Sequence, residues 1–270
     1  MDTSGSLFRT RPWRWCPTSF DVTPAVNTLS SLVATVLIVL GVWRSAQMAR
    51  GFVDRVYKSK ALWMAALTSS ILLSELTGFI QFPSTALGSL LVISPLVLVI
   101  IVSYGLVDRT IIVAMRADFF HRDALGWTKV RLPGFVLVAG ALCLIVADSA
   151  LVPSGAFTSA LWSTVAFAIF VGVVPLVLGY AAIAIVVSAR RTADRTLKRH
   201  ILFLGVSLAC FAAVLALFAL PSTDLFDILE DALNVASLYM LYRAVMSLTL
   251  LGRVEKVTEA SHPHSVSGSR

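Results

Sequence analysis

Residues 224–256 read DLFDILEDALNVASLYMLYRAVMSLTLLGRVEK. The segment opens acidic at Asp224, Asp227, Glu230 and Asp231, runs apolar, and closes basic at Arg253 and Lys256. At about 100° per residue, Asp227, Glu230, Asp231, Asn234 and Ser237 fall on one helical face about 120° wide. Arg243 points the other way, one turn after Tyr239. A helix that is acidic at one end, basic at the other and polar along one face reads as a membrane span whose polar face lines something.

Composition extends that reading to the whole chain. The 270 residues are 57% hydrophobic and only 14% charged, with a mean hydropathy of +0.85. Soluble domains carry about a quarter charged residues. Continuous apolar runs, rather than alternation over about ten residues, point to α-helical spans and away from a membrane β-barrel. Seven spans are expected, at 25–44, 61–82, 87–107, 134–152, 159–188, 201–220 and 228–250.

The segments between spans sort by charge. Nineteen of the 22 basic residues fall on one side, and only Arg9, Arg11 and Arg14 on the other. The positive-inside rule then sets the N-terminus outside and the C-terminus in the cytoplasm, and it accounts for the net charge of +7 without nucleic acid. The expected product is an all-α plasma-membrane protein in contact with the bilayer. It comprises an extracytoplasmic segment 1–24, a seven-helix domain 25–252 and a disordered cytoplasmic tail 253–270. The stretch 108–131 reads as an amphipathic extension of the third span under the headgroups. Small residues mark expected packing faces: Gly172, Pro175 and Gly179 in span five, and Ala139, Cys143 and Ala147 in span four.

An internal repeat is expected from two loops. Ser45-Ala46 followed by Asp54-Arg55-Val56-Tyr57-Lys58 matches Ser188-Ala189 followed by Asp194-Arg195-Thr196-Leu197-Lys198. Spans one to three and five to seven would then be parallel repeats with span four between them, a 3+1+3 arrangement of a kind known among transporters. Convergence of two basic loops on one string is the alternative.

Glu75 is the leading candidate for chemistry, because it lies deep in span two, where a charge is costly unless it is protonated, paired or wetted. Together with Asn234, Asp227, Glu230, Asp231 and Ser237 it outlines an outward-facing polar pocket for an ion, a proton or a small polar ligand. A hydrogen bond that fixes helix packing is the competing role. A second stripe, Ser70, Ser74, Thr77 and Gln81, lies about 100° from Glu75 on the same helix. On the cytoplasmic side Arg55, Lys58, Arg109, Arg195 and Lys198 form a basic face suited to a signalling partner.

Absences narrow the field. All five lysines are assigned to loops or the tail, which leaves no site for a retinal Schiff base, and none of the four histidines is placed deep in a span. No catalytic motif, metal-ligand spacing or cofactor signature is present, so no enzyme, metal or cofactor is expected. Asp108-Arg109 resembles the Asp/Glu-Arg-Tyr motif of G-protein-coupled receptors. Thr110 replaces the tyrosine, and span seven lacks Asn-Pro-x-x-Tyr, so the resemblance ends at two residues and assigns no family. The expected function is a non-enzymatic seven-helix sensor, with a small-solute or cation/proton transporter, or an accessory subunit of a membrane complex, as alternatives.

Cys16 is a native probe of this topology, since Cys143 and Cys210 are expected to be buried. A membrane-impermeant thiol reagent should label Cys16 on intact cells; labelling of free Cys16 only after the membrane is opened would reverse the orientation.

Overall fold

The computed structural model describes residues 22–50, 52, 55–78, 86–117, 126–151, 160–218, 220 and 224–261. They form seven helices: α1 Val22–Ala49, α2 Arg55–Gly78, α3 Ala86–Ala117, α4 Trp127–Leu151, α5 Ala160–Arg191, α6 Arg195–Leu217 and α7 Asp224–Ser261. There is no strand among the described residues. Four helical stretches, Leu87–Val113, Trp127–Ala150, Trp162–Arg191 and Arg195–Leu217, are long and apolar enough to cross a bilayer, which fits a membrane protein.

Local chemistry sets several boundaries. Asp194 is extended, at φ −68° and ψ 119°. Its carboxylate accepts from the Thr196 and Leu197 amides at 2.7 and 3.3 Å, capping α6. Arg190 and Arg191 end α5, where a cation complements the helix dipole. Gly126 enters α4 at φ +70°, a conformation that costs glycine nothing.

Six helices close a ring in the order α1, α2, α3, α5, α6, α7 and back to α1, while α4 packs outside, against α3 and α5. One apolar cluster joins α3, α4, α5 and α6 through Ile100, Ile145, Leu178 and Ile201. A second joins α1, α2, α3, α6 and α7 through Met48, Met64, Leu106, Leu204 and Val245. In lipid, burying a leucine gains little over leaving it against acyl chains, so close packing and interhelical hydrogen bonds carry the association. Asp108 illustrates this at the basic end. Its carboxylate accepts from Trp127 Nε1 at 3.1 Å and lies 3.8 Å from the Arg131 guanidinium, tying α3 to α4. The Tyr104 hydroxyl donates to the Arg131 carbonyl, and Trp127 stacks on Tyr180 of α5. At the other end Ser163 donates to the buried Asp148 at 2.8 Å, tying α5 to α4.

Several expectations need correction. Lys60 is not in a loop but within α2, and it is fully buried; Lys58, Lys129, Lys198 and Lys256 also lie within helices. Helices α2, α4 and α6 begin before their apolar runs and α7 continues past its run, so charge marks the run and not the helix. His200, assigned to no span, is likewise fully buried in α6. The stretch 108–131 is not one extension: α3 runs straight on to Ala117, and Trp127 through Arg131 belong to α4. Residues 253–261, expected in the tail, continue α7. Cys143 lies within the apolar span Trp127–Ala150, but on the outer surface of the bundle rather than on a packing face.

The packing glycines also differ from those expected. Gly172 is exposed, and no side chain comes within 4 Å of where a Cβ would sit at Gly172 or Gly179. Close approach occurs instead at Gly105, where a Cβ would stand 2.4 Å from the Trp63 ring of α2, and at Gly205, where it would stand 2.8 Å from Val186 of α5. A small residue brings helices together only where a neighbour is at its height. Gly105→Ala should therefore lower the thermal midpoint, because overpacking against a rigid indole costs about 1–3 kcal/mol against about 1 kcal/mol gained in helix propensity. Gly140→Ala, which meets open space, should leave the midpoint unchanged or raise it.

Candidate functional site

The middle of α6 is joined to α7, about a third of the way along it, by a reciprocal clasp. Ser207 Oγ donates to the Ser237 carbonyl at 2.8 Å, and Ser237 Oγ donates to the Ser207 carbonyl at 2.9 Å. The two hydroxyls are 3.3 Å apart, and both side chains are buried. Serine suits this place because it is small enough for the backbones to approach and carries one donor to reach across.

Beside the clasp lies a cavity of about 70 Å³, lined by α2, α3, α6 and α7. Its walls are mostly apolar, from Leu67 and Ile71 of α2 to Phe211 of α6 and Leu241 of α7. Five polar residues interrupt them: Ser74, Ser103, Ser207, Asn234 and Ser237. Ser207 and Ser237 are engaged with each other. The side chains of Ser74, Ser103 and Asn234 have no hydrogen-bond partner among the described residues. Three helices thus each present one unengaged polar group to one apolar space. A water needs about 10–15 Å³ on this measure, so the cavity suits several waters or one small molecule.

The residues singled out from sequence divide accordingly. Asn234 and Ser237 line the cavity. Glu230 and Asp231 are half-buried on the first turns of α7, outside it. The side chains of Glu75, Asp227 and Arg55 lie outside the described residues. Of the basic face, Lys58, Arg109 and Arg195 are exposed and Lys198 is half-buried. The Arg243 guanidinium lies 6.0 Å from the Tyr239 ring centre and 5.3 Å from that of Phe203.

Sequence reasoning missed Ser103 and Ser207. Each is one hydroxyl in an apolar run, and nothing in a single sequence says which helix faces it. Ser74 did give a signal, the stripe beside Glu75. That stripe turns inward: Ser70 is buried and donates to the Ala66 carbonyl at 2.7 Å, and Ser74, one turn on, reaches the cavity. Among the described residues no three His, Cys, Asp or Glu side chains come together.

Ser207→Ala and Ser237→Ala should each lower stability, by about 0.6 kcal/mol on average for a membrane hydrogen bond and at most about 1.7. In a double-mutant cycle followed by unfolding in detergent, the pair should show a coupling of about 0.5 kcal/mol or more, since the hydroxyls touch.

No family model, no curated protein and no solved structure matches this chain.

Proposed function

We propose that this chain is a non-enzymatic plasma-membrane sensor of seven spans, N-terminus outside and C-terminus in the cytoplasm. Its cavity between α2, α3, α6 and α7 takes a small, mainly apolar molecule bearing one or two hydrogen-bonding groups. The observation that carries the reading is the placement of Ser74, Ser103 and Asn234, unengaged, on three helices around one apolar space. Ligand sites are commonly apolar with a few convergent polar groups. A ligand bonded to Asn234 would bias the position of α7, whose far end emerges among the basic loops. There Arg55, Lys58, Arg109, Arg195 and Lys198 would meet a signalling partner.

The cavity walls favour one second reading. Helices α2 and α3 hold the same places in the first triplet as α6 and α7 in the second, and α4 stands outside the ring. In transporters built from repeats, the substrate site lies at the repeat interface near the membrane midplane. The 3+1+3 transporter therefore remains the alternative, and solute uptake into vesicles carrying the purified protein would select it.

Native mass spectrometry of the protein purified from its own membranes in mild detergent should show a bound small molecule. Asn234→Leu, which removes the amide and fills space, should abolish that adduct with little loss of stability. A wild-type protein carrying no adduct, or an adduct retained in Asn234→Leu, would overturn the assignment. Glu75→Gln separates the two roles of Glu75. Loss of a proton- or cation-dependent response with folding intact places Glu75 in the sensing site, whereas wild-type behaviour in every assay assigns it to packing.

A further inference from the structure

Arg243 carries a charge on the outer surface of the bundle, well inside a span. Two contacts set the height of α7 against α6: the Ser207–Ser237 clasp, and a 2.7 Å contact between His200 Nδ1 and the Ala244 carbonyl oxygen. His200 lies five residues into α6, so Arg243, one residue before Ala244, leaves α7 about 8–9 Å inside the basic end. Its side chain then runs inward. The guanidinium donates to the Tyr239 hydroxyl at 3.3 Å, one turn nearer the acidic end, and lies 5.3 Å from the centre of the Phe203 ring. Phe203 is eight residues beyond Arg195, the first residue of α6, which puts the charge about 12 Å inside that end. The 23 residues of α6 span about 33 Å, close to the thickness of the hydrocarbon layer.

Arg243 and Tyr239 are both exposed, and no carboxylate pairs with Arg243 among the described residues. Basic side chains near the end of a span extend back to the headgroups. Exposed Arg195 and Arg199 of α6 hold that place, and Arg243 is directed away from it. Tyr239 gives the guanidinium one acceptor and the two rings give it π faces, but none of them supplies a negative charge. A charge at this depth calls for a partner.

Two sources of that charge fail on position. Headgroup phosphates lie outside the hydrocarbon layer, on the side from which the guanidinium turns away. A second copy packed side by side offers no free acid at that depth among the described residues. Asp108 is held by Trp127 and Arg131, Asp148 by Ser163, and Asp194 caps α6. Glu230 and Asp231 stand in the first turns of α7, at the opposite end, and the backbone of Glu75 is about 30 Å from the start of α2. A carboxylate on a helix of another protein can reach the right depth. The exposed positions of α6 beyond Phe203 are Val206, Ala209 and Ala216, short enough for such a helix to lie close, whereas α1 presents Leu32, Leu40 and Trp43 to its surroundings.

We infer that the outer face of α6 and α7 docks a transmembrane helix of a partner protein, one that carries a Glu or Asp about 12 Å inside the basic end. Its carboxylate pairs with the Arg243 guanidinium, which Tyr239 and Phe203 hold in place. The docked helix grips α7 six residues from Ser237, so it acts on the same rod that borders the cavity.

The test uses the full-length protein, donor-labelled, in vesicles of zwitterionic lipid with an acceptor-labelled single-span peptide. The peptide is a leucine–alanine helix with one Glu at the stated depth, and its controls carry Gln or Leu there. Energy transfer should show the Glu peptide bound about tenfold more tightly than the Gln peptide. Arg243→Met should remove that preference, Arg243→Lys should keep most of it, and Arg243→Glu should transfer it to a peptide with Lys in the same place. A photoreactive residue beside the peptide's Glu should crosslink to α6 or α7, a measurement that stands even if Arg243→Met fails to fold. Equal binding of the Glu and Gln peptides, a preference kept in Arg243→Met, or crosslinks confined to other helices would each overturn the docking site. So would displacement of the Glu peptide by an anionic phospholipid that binds through Arg243, which would give the site to a headgroup.

Discussion

In a chain this apolar, a polar side chain inside the bundle must find its partner within the protein, and the Ser207–Ser237 clasp shows how that constraint builds the fold. Two hydroxyls and two backbone carbonyls satisfy one another at 2.8 and 2.9 Å. They fix the register of α6 on α7 and leave no polar atom of the pair turned toward lipid. Because apolar side chains gain little by leaving lipid for protein, such directional contacts choose among packings that hydrophobicity alone would leave equivalent. The Asp108–Trp127–Arg131 knot serves α3 and α4 in the same way, and Asp148–Ser163 serves α4 and α5. The dipeptide Asp108-Arg109 acquires a local meaning from this. Asp108 braces two helices and Arg109 faces outward, which accounts for both residues without a receptor motif.

The same constraint gives weight to polar groups that are not satisfied. Ser74, Ser103 and Asn234 border a space, and Ser45, Lys60 and His200 each carry a buried polar atom with no partner among the described residues. In the first set, side chains from three helices converge on one space without completing their bonds. Orphaned polar groups in an otherwise well-paired bundle need an explanation, and a missing third party is the most economical one. The two sets differ in place: the first lines a space beside the clasp, and the second lies near one end of the bundle.

Much of this architecture was legible in the chain. Continuous apolar runs gave the helices and the membrane class, because the bilayer dictates both length and hydropathy. The string Asp-Arg-x-x-Lys was legible as a feature but ambiguous in meaning. At Asp194 it caps α6, and Arg55 likewise begins α2, so helix initiation alone can produce the match. Azimuth was not legible. Asn234 and Ser237 were drawn from one polar face, but one is unengaged at the cavity and the other is held by α6. Lys60 was misplaced because a basic residue at the end of an apolar run looks solvated until a neighbouring helix covers it.

The length of α7 has a mechanical consequence. It runs as one helix from Asp224 to Ser261, 38 residues, or about 57 Å at 1.5 Å per residue. From the clasp at Ser237 to Ser261 is about 36 Å of that rod. With the clasp as fulcrum, a tilt of about 5° carries the far end through about 3 Å, roughly the length of a hydrogen bond. A rigid lever of this kind turns a displacement smaller than one atom at mid-bundle into one large enough to make or break a contact beyond the bundle's end.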